Sequence, residues 1–277
     1  MSVASFIPEV WNASLWLEFR EQAVAAGLVN RTYEGDARVG NTVVINQAID
    51  VAIKDYAYND RTTTPDDVAT DDQKLLIDQE KNFDFLVDDI DRRQAAGSMD
   101  VYTESAGLAL AEDADKYILE VAEAGALAAN QVSEAAPENG DEAFDVLNEL
   151  RKRLNQAKVP RSQRVAFVNA EFSSLLLTAA SKLTKANESG TTAGLRAASL
   201  GDILGFDVYE SENLPEVDDP QVVSFWQPSV AFVSQIPPDG IEAMRDVDSF
   251  ADRLRGLHVY GCRAIRPNGI ATYNVGS

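Results

Sequence analysis

The hydrophobic pattern of the chain has a period of two in one long stretch near its N-terminal end. In residues 42–53 the apolar side chains fall on odd positions, namely Val43, Ile45, Ile49, Val51 and Ile53. In residues 75–87 they do so again, at Leu75, Ile77, Phe83, Phe85 and Val87. A period of two places the apolar side chains on one face of a strand. We therefore predict two strands, joined by the polar segment 54–72 as the tip of a long hairpin.

Two other stretches have the period of a helix. Residues 10–26 repeat aromatic and apolar side chains four apart, at Trp11, Leu15 and Phe19, and stop at Gly27, which predicts an amphipathic helix. Residues 104–130 predict a longer one, on the order of 40 Å at 1.5 Å per residue. Its apolar face contains Leu110, Ala114, Tyr117, Val121 and Ala128, with Ile118 beside it. Its polar face contains Glu112, Asp113, Asp115, Lys116, Glu120 and Glu123.

The second half of the chain mixes helices and strands. A helix with a stripe of Phe144, Leu147, Leu150 and Leu154 is followed by a strand at 164–169, a helix that continues to Leu183 and a Gly- and Thr-rich loop at 185–198. Five further strands are predicted at 205–210, 222–226, 230–236, 257–265 and 270–275. This order predicts an α+β protein.

The net charge of the chain is −21. Residues 34–91 hold 15 acidic and five basic residues, which gives 15 − 5, or a net −10, so nearly half of the excess lies on the hairpin. Phosphate binding needs clustered Lys and Arg, so nucleic acid is disfavoured as a direct partner. The excess charge either keeps a concentrated protein soluble or forms a charged surface between subunits.

The candidate chemistry is sparse. A structural zinc site takes four Cys or His ligands, whereas this chain has one of each, Cys262 and His258. No G-x-S-x-G turn, phosphate-binding loop or calcium-loop motif occurs. We therefore expect no catalytic, cofactor-binding or metal-binding residue, with His258 structural and Cys262 a buried, inert thiol. A hydrolase that uses two carboxylates remains a distant alternative.

The remaining polar and aromatic features indicate contacts between subunits. An isolated hairpin of this length is only marginally stable in water. The two tryptophans near the N-terminal end also need other residues to bury their apolar surface. The aromatic helix either packs on its own domain or lies on a neighbouring copy. We take as interface candidates Trp11, Trp16, Phe19, Lys54, Asp55, Arg61, Asp66, Asp67, Arg92 and Arg93.

In their order, these elements resemble the major capsid proteins of tailed bacteriophages, with the Hong Kong 97-type shell fold. The resemblance rests on local phrases as well. Residues 85–94, FLVDDIDRRQ, are similar to the return of the family's extended loop, and residues 201–215, GDILGFDVYESENLP, to the axial domain. Residues 255–261, RGLHVYG, followed by Arg266 and Pro267, are similar to the last strand of the peripheral domain.

The resemblance implies four regions. They are an N-terminal arm at 1–28, an extended β-hairpin loop (E-loop) at 29–93, a peripheral domain with a spine helix at 94–135 and 236–277, and an axial domain at 136–235. It also implies a structural subunit without cofactor, which self-assembles into the pentamers and hexamers of an icosahedral head around double-stranded DNA.

The implied partners are many copies of the chain, a portal, a separate scaffolding protein and a decoration protein. The packaged DNA is enclosed without sequence-specific binding. Neither a signal peptide nor a membrane-length apolar run occurs, so we expect assembly in the host bacterial cytoplasm and a final location in the virion. The alternatives are an encapsulin-like compartment shell and, more remotely, a tail or baseplate protein.

Overall fold

The computed structural model describes residues 23–38, 40–48, 53–54, 56, 70–90, 100–178, 201–216, 218–237 and 241–276. The predicted aromatic helix at 10–26 and the loop at 185–198 lie outside them, apart from the last residues of that helix. Three helices are described, α1 (Asp100–Ala124), α2 (Gly140–Gln156) and α3 (Ala170–Leu176). Among the described residues, no helix has both the length and the apolar character needed to cross a bilayer.

Twelve strands occur in the described part of the chain. In chain order they are β1 (Thr42–Ala48), β2 (Thr70–Leu76), β3 (Gln79–Asp88), β4 (Gln131–Glu134), β5 (Arg164–Val168), β6 (Asp202–Ile203), β7 (Phe206–Glu210), β8 (Val222–Trp226), β9 (Val230–Ile236), β10 (Ile241–Arg245), β11 (Ala251–Ala264) and β12 (Ile270–Val275). The mixed α+β class is confirmed.

The largest sheet has six strands in the order β4-β12-β8-β5-β7-β6. Every residue of β5 is buried, because both faces of this sheet are covered. Val165 and Phe167 face the cluster that contains Ile118 and Leu119 of α1, whereas Ala166 and Val168 face the helices α2 and α3. A central strand buried on both faces has a continuous apolar sequence, as RVAFV does.

The predicted stripe of α2 is confirmed. Leu147, Leu150 and Leu154 are fully buried, and Phe144 is half-buried against the same cluster. The helix begins where the Asn139 side chain accepts hydrogen bonds from the backbone N–H groups of Asp141 and Glu142, at 3.1 and 3.0 Å. Asn is a preferred residue at this position, because its oxygen pairs otherwise unpaired N–H groups.

A second sheet is built around the 14-residue strand β11. Its first part lies between β10 and β3, and its later part pairs with β9, with a register shift at Val259 and Tyr260. Strands β1 and β2 form a separate two-stranded ribbon in a continuous antiparallel register from Thr42 opposite Leu76 to Ala48 opposite Thr70.

Several predicted bounds are wrong. The strand predicted at 75–87 is two strands, because residues Ile77 and Asp78 interrupt it and β3 pairs with β11 instead of continuing the hairpin. The spine helix ends at Ala124, and a separate 3₁₀ turn at Ala128–Asn130 follows. Helix α3 ends at Leu176, well before Leu183. Strand β11 begins six residues before the predicted Leu257.

The predicted division into four regions stays a prediction. Strand β12 and strand β4, from the two segments predicted as peripheral, both belong to the six-stranded sheet that also contains β5, β7 and β8. Strand β9, from the segment predicted as axial, pairs with β11.

Candidate assembly surfaces

Only one of the predicted interface residues lies in the described part of the chain. It is Lys54, which is exposed. The other candidates, Trp11, Trp16, Phe19, Asp55, Arg61, Asp66, Asp67, Arg92 and Arg93, lie outside the described residues. The candidate surfaces must therefore be built from other residues, beginning with the base of the ribbon.

One face of the ribbon base is buried on its own chain. Val43, Ile45, Leu75 and Ile77 are each less than 9% exposed, and they pack against residues of β9 and β11 that include Val233. The opposite face carries Val44 and Leu76, which are 53% and 51% exposed. The alternation predicted from the sequence is confirmed at this base. The apolar face is buried, and the outward face exposes two apolar side chains among polar ones.

The ribbon joins the body at Ile77 and Asp78. The backbone N–H of Ile77 donates to the backbone carbonyl oxygen of Asn41 at 2.8 Å. Strand β11 passes so close that a Cβ at Gly261 would lie 2.1 Å from the Leu76 carbonyl oxygen, so only glycine fits this crossing. The Tyr117 hydroxyl donates to Asp78 at 3.3 Å. Burial, with the neighbouring Asp78 charge, raises the pKa of Tyr117 to about 12.

A second tyrosine ties the same helix to the sheet. The hydroxyl of Tyr260 donates to Asp113 at 2.6 Å, and the Lys81 ammonium lies 3.6 Å from the same carboxylate oxygen. The rings of Tyr260 and Tyr117 meet edge to face with centroids 5.7 Å apart. Burial is the main reason why the pKa of Tyr260 lies above its ordinary value.

Asp115 fastens the start of the described chain to the spine helix. Its carboxylate accepts three backbone N–H bonds, from Val24 at 2.7 Å and from Ala25 and Ala26 at 3.0 Å each. We predicted Asp115 on the exposed face of the helix, but it is fully buried. Burial raises its pKa, and the three N–H donors act in the opposite direction.

Paired charges lie on both faces of the second sheet. Arg245 is directly opposite Asp252 and shares its face, whereas Arg253 and Arg255 lie on the other face. Arg245 contacts Asp89 at 2.5 and 2.8 Å and Asp252 at 3.2 Å. Arg253 forms a two-pronged bond with Asp84, and its hydrogen bond lowers the pKa of that carboxyl. Arg255 pairs with Glu242 at 2.7 Å. Exposed pairs contribute little stability singly, on the order of 0–1 kcal/mol each, so they chiefly fix the positions of long side chains.

Apolar side chains lie between these charges. Leu86 and Met244 are directly opposite Arg253 on its two neighbouring strands, and they are 55% and 40% exposed. The turn between β10 and β11 exposes Val247 by 95% and Phe250 by 81%. We call Val247 and Phe250 the turn patch. Exposed large apolar side chains grouped in this way are typical of surfaces that bind other proteins.

Sequence reasoning missed this turn because its strands give no clear signal. Strand β10 reads IEAMR and the start of β11 reads ADRLRG, in which charged residues take most outward positions. The one signal of a turn in this region is the sequence DVDS at 246–249, because aspartate and serine are common in turns. Val247 lies within this sequence and Phe250 directly follows it.

The chemistry of the two scarce side chains agrees with a structural role. His258 is 3% exposed, its Nε2 lies 3.3 Å from the Ser234 hydroxyl, and burial lowers its pKa. Cys262 is 7% exposed, and burial raises the pKa of its thiol far above the usual range, which makes the reactive thiolate scarce. Among the described residues, no group of three or more His, Cys, Asp or Glu could hold a metal ion.

Solved structures of phage proteins are similar to this chain over nearly its whole length. A chain from Mycobacterium phage Che8 is 46% identical, aligns over 98% of both chains and gives a TM-score of 0.88. The capsid structure of Cyanophage P-SCSP1u covers 100% of this chain and 95% of its own, with 12% identity and a TM-score of 0.80. The capsid of Ralstonia phage GP4 covers 100% and 98%, with 11% identity and a TM-score of 0.72. No protein-family model and no curated protein sequence matches the chain.

Proposed function

Because this chain belongs to the family of tailed-bacteriophage major capsid proteins, we propose that its copies form the pentamers and hexamers of an icosahedral head that encloses double-stranded DNA. The observation that carries the proposal is the 46% identity to the Che8 chain across 98% of both chains. A virion protein of this family is a structural component, and the proposed role here involves no catalysis.

The surfaces of the single chain support assembly. The outward face of the ribbon and the turn patch expose apolar side chains that its own body does not cover. Burying a large apolar side chain contributes about 1.5–3 kcal/mol. A subunit of a closed shell makes many such contacts at once, so each of them can be weak.

The proposed partners follow from this role. They are further copies of the chain, a portal, a separate scaffolding protein and a decoration protein, with assembly in the host bacterial cytoplasm. The phage origin of the 46% identical chain favours a head over a compartment that stores enzymes. No observation on the described residues favours the tail or baseplate alternative.

Expression of the chain alone in bacteria tests the proposal. We expect closed shells by negative-stain electron microscopy and a fast-sedimenting species by ultracentrifugation. A chain that is folded by circular dichroism, but stays a monomer at every concentration and salt tested, with and without a co-expressed scaffolding protein, would contradict it.

A matched pair of variants locates the contact. Phe250→Ser removes most of the apolar surface of the turn patch, whereas Phe250→Leu keeps it. Since the side chain is 81% exposed in one subunit, both variants should melt within a few degrees of wild type. We expect Phe250→Ser to lower the yield of shells by about tenfold or more, from the loss of 1.5–3 kcal/mol per contact, and Phe250→Leu to assemble. Equal assembly of both variants would exclude the turn patch from the interface.

A further inference from the structure

A basic segment stands out in this acidic chain. Residues 151–164, RKRLNQAKVPRSQR, contain six of the 24 basic residues and no acidic one. The segment covers the end of α2 and the loop before β5. Lys158 and Arg161 of this loop are exposed, and so is Arg266, whose guanidinium carbon lies 5.4 Å from the centre of the Trp226 ring.

Lys158 and Arg266 line a cleft of about 640 Å³ between the ribbon base and the body. Ile45 and Gln73 of the ribbon form one side. The other side is formed by Lys158, Trp226, Ser229 and Arg266. None of the residues that line the cleft is acidic. We call this site the basic cleft.

Two hydrogen-bond donors in the wall of the basic cleft are unpaired. The indole N–H of Trp226 and the hydroxyl of Ser229 are buried and have no hydrogen-bond partner among the described residues. Ser229 is fully buried. Buried polar groups are nearly always paired, so two donors without a partner among the described residues indicate that the cleft receives an acceptor which these residues do not supply.

A buried cation lies behind the same wall. Arg164 is 3% exposed, and it donates to the carbonyl oxygens of Val159 and Pro160 and to the side chain of Asn155, at 2.7–2.9 Å. These partners are neutral, and no ion pair of Arg164 with an acidic side chain is found within the described residues. Burial, with the charges of Arg161 and Arg151, lowers the pKa of Arg164. A buried charge without an opposite charge is unfavourable, and an anion in the cleft would lessen that cost.

We propose that the basic cleft binds an acidic side chain of a second copy of this chain. The occupant must bring a negatively charged acceptor, and a copy carries 45 Asp and Glu residues. The cleft is bordered by both the ribbon and the body, so its occupant also fixes the angle between them. This inference rests on the proposed function, since it assigns one contact of the shell.

Carbodiimide coupling tests the contact directly, because it joins a lysine amine to a carboxylate that touches it. Shells are assembled from equal amounts of unlabelled and ¹⁵N-labelled chain, coupled and analysed by mass spectrometry. We expect Lys158 to be joined to an Asp or Glu of a mixed-isotope pair in shells and not in dilute subunits. Lys116, whose ammonium lies 2.6 Å from Glu112 of its own chain, provides an internal control that should couple within one chain in both samples.

Variants then test the cleft residues. Arg266→Gln removes a charge, and Trp226→Phe removes the indole N–H together with part of the aromatic surface. Each should lower the Lys158 coupling about tenfold or more, the effect of losing one hydrogen bond to a charged group. Lys152→Gln removes an exposed charge that is paired with Glu149 and should leave the coupling unchanged. Circular dichroism checks that each variant is folded. If one of the two cleft variants does not fold, the other alone tests the cleft.

Three outcomes overturn the inference. In the first, shells form but Lys158 stays uncoupled or couples only within its own chain, which leaves the proposed function intact. In the second, the cleft variants couple as wild type does. In the third, a short DNA duplex added to dilute subunits protects the Lys158 amine from an acylating reagent. This result would mean that the cleft binds the phosphates of DNA. If no shell forms with or without a co-expressed scaffolding protein, the proposed function fails, and coupling in concentrated subunits still decides whether Lys158 meets a second copy.

Discussion

Asp115 illustrates how one side chain can fix a segment about ninety residues away in the chain. Its two carboxylate oxygens accept three N–H groups that would otherwise be unpaired. An Asn at this position has one oxygen, and its NH₂ group would face a donor. We expect Asp115→Asn to lower the free energy of unfolding by about 1–3 kcal/mol, the cost of leaving buried donors unpaired, as measured by urea denaturation.

Glu120→Gln is the matched control for this change. It removes the same charge from the same helix at an exposed position, and surface substitutions usually change stability by about 0.5 kcal/mol or less. If both variants lose the same free energy, charge and not hydrogen bonding explains the effect of Asp115.

His258 predicts a dependence of stability on pH. Burial lowers its pKa in the folded chain, whereas the unfolded value is about 6.5. Below that pH the unfolded state binds more protons, so the free energy of unfolding decreases as the pH falls, by at most about 1.4 kcal/mol per pH unit. This loss should be absent from His258→Gln.

The measurement is the difference in unfolding free energy between wild type and His258→Gln from pH 7.5 to 5. Because the chain has one histidine, the other titrating groups largely cancel in the difference. We expect the stability advantage of wild type to shrink as the pH falls. An advantage that is constant over this range would mean that burial does not perturb this imidazole.

At the scale of elements, the ribbon base is the part that can be tested apart from assembly. Val43, Ile45, Leu75 and Ile77 pack on the body of the same chain, so the base should fold without the tip. We expect that replacing residues 57–69 by a short Gly-Asn-Gly linker keeps the circular dichroism spectrum and melting temperature near wild type. The same deletion should abolish shells in sedimentation, since we infer that the tip acts between copies.

The control is a chain in which residues 57–69 are replaced by a Gly/Ser segment of the same length. It distinguishes the effect of the sequence of the tip from the effect of its length. A deletion that still forms normal shells would remove the tip from the assembly contacts. A deletion that unfolds the chain would show that the tip stabilises the subunit itself.

The sequence predicted elements well where a helix has a regular apolar stripe or a strand is a short, continuous apolar run. The stripe of α2 and the strands at 222–226, 230–236 and 270–275 agree with the structure. Period two also placed Phe83 and Phe85 on one face correctly, but periodicity does not specify which strand is the neighbour. The break at Ile77 and Asp78 has no Gly or Pro, so the two strands were joined into one.

Other features had no local signal. The hydrophobic pattern of a helix does not show whether an aspartate is exposed or buried. Asp115 is buried because its hydrogen-bond partners come from residues 24–26, far away in the chain. Strand β4 has four residues, three of them exposed, and the turn patch lies between strands whose outward faces are charged. For the candidate surfaces, sequence reasoning identified the ribbon, whereas the basic cleft required the meeting of segments far apart in the chain.

At the scale of the whole molecule, the charge of −21 opposes association. Repulsion between exposed charges acts over a Debye length, about 30 Å at 0.01 M salt and about 8 Å at 0.15 M. We expect the rate of shell formation, followed by light scattering at fixed protein concentration, to rise as NaCl increases across this range. Choline chloride at equal ionic strength is the control for specific ion effects, and a rate that falls steadily with salt would contradict a repulsive barrier.

The pairing of β3 with β11 has a mechanical consequence. Ten residue pairs, from Ala251 opposite Asp88 to Tyr260 opposite Gln79, join these strands, and the ribbon enters β3 through Asp78. A pull directed along the strand axis would load the hydrogen bonds of this register together, in shear, and would not peel them apart one by one. Such a joint resists rupture until many bonds yield at once, so a moderate pull on the ribbon would leave β3 attached to the body.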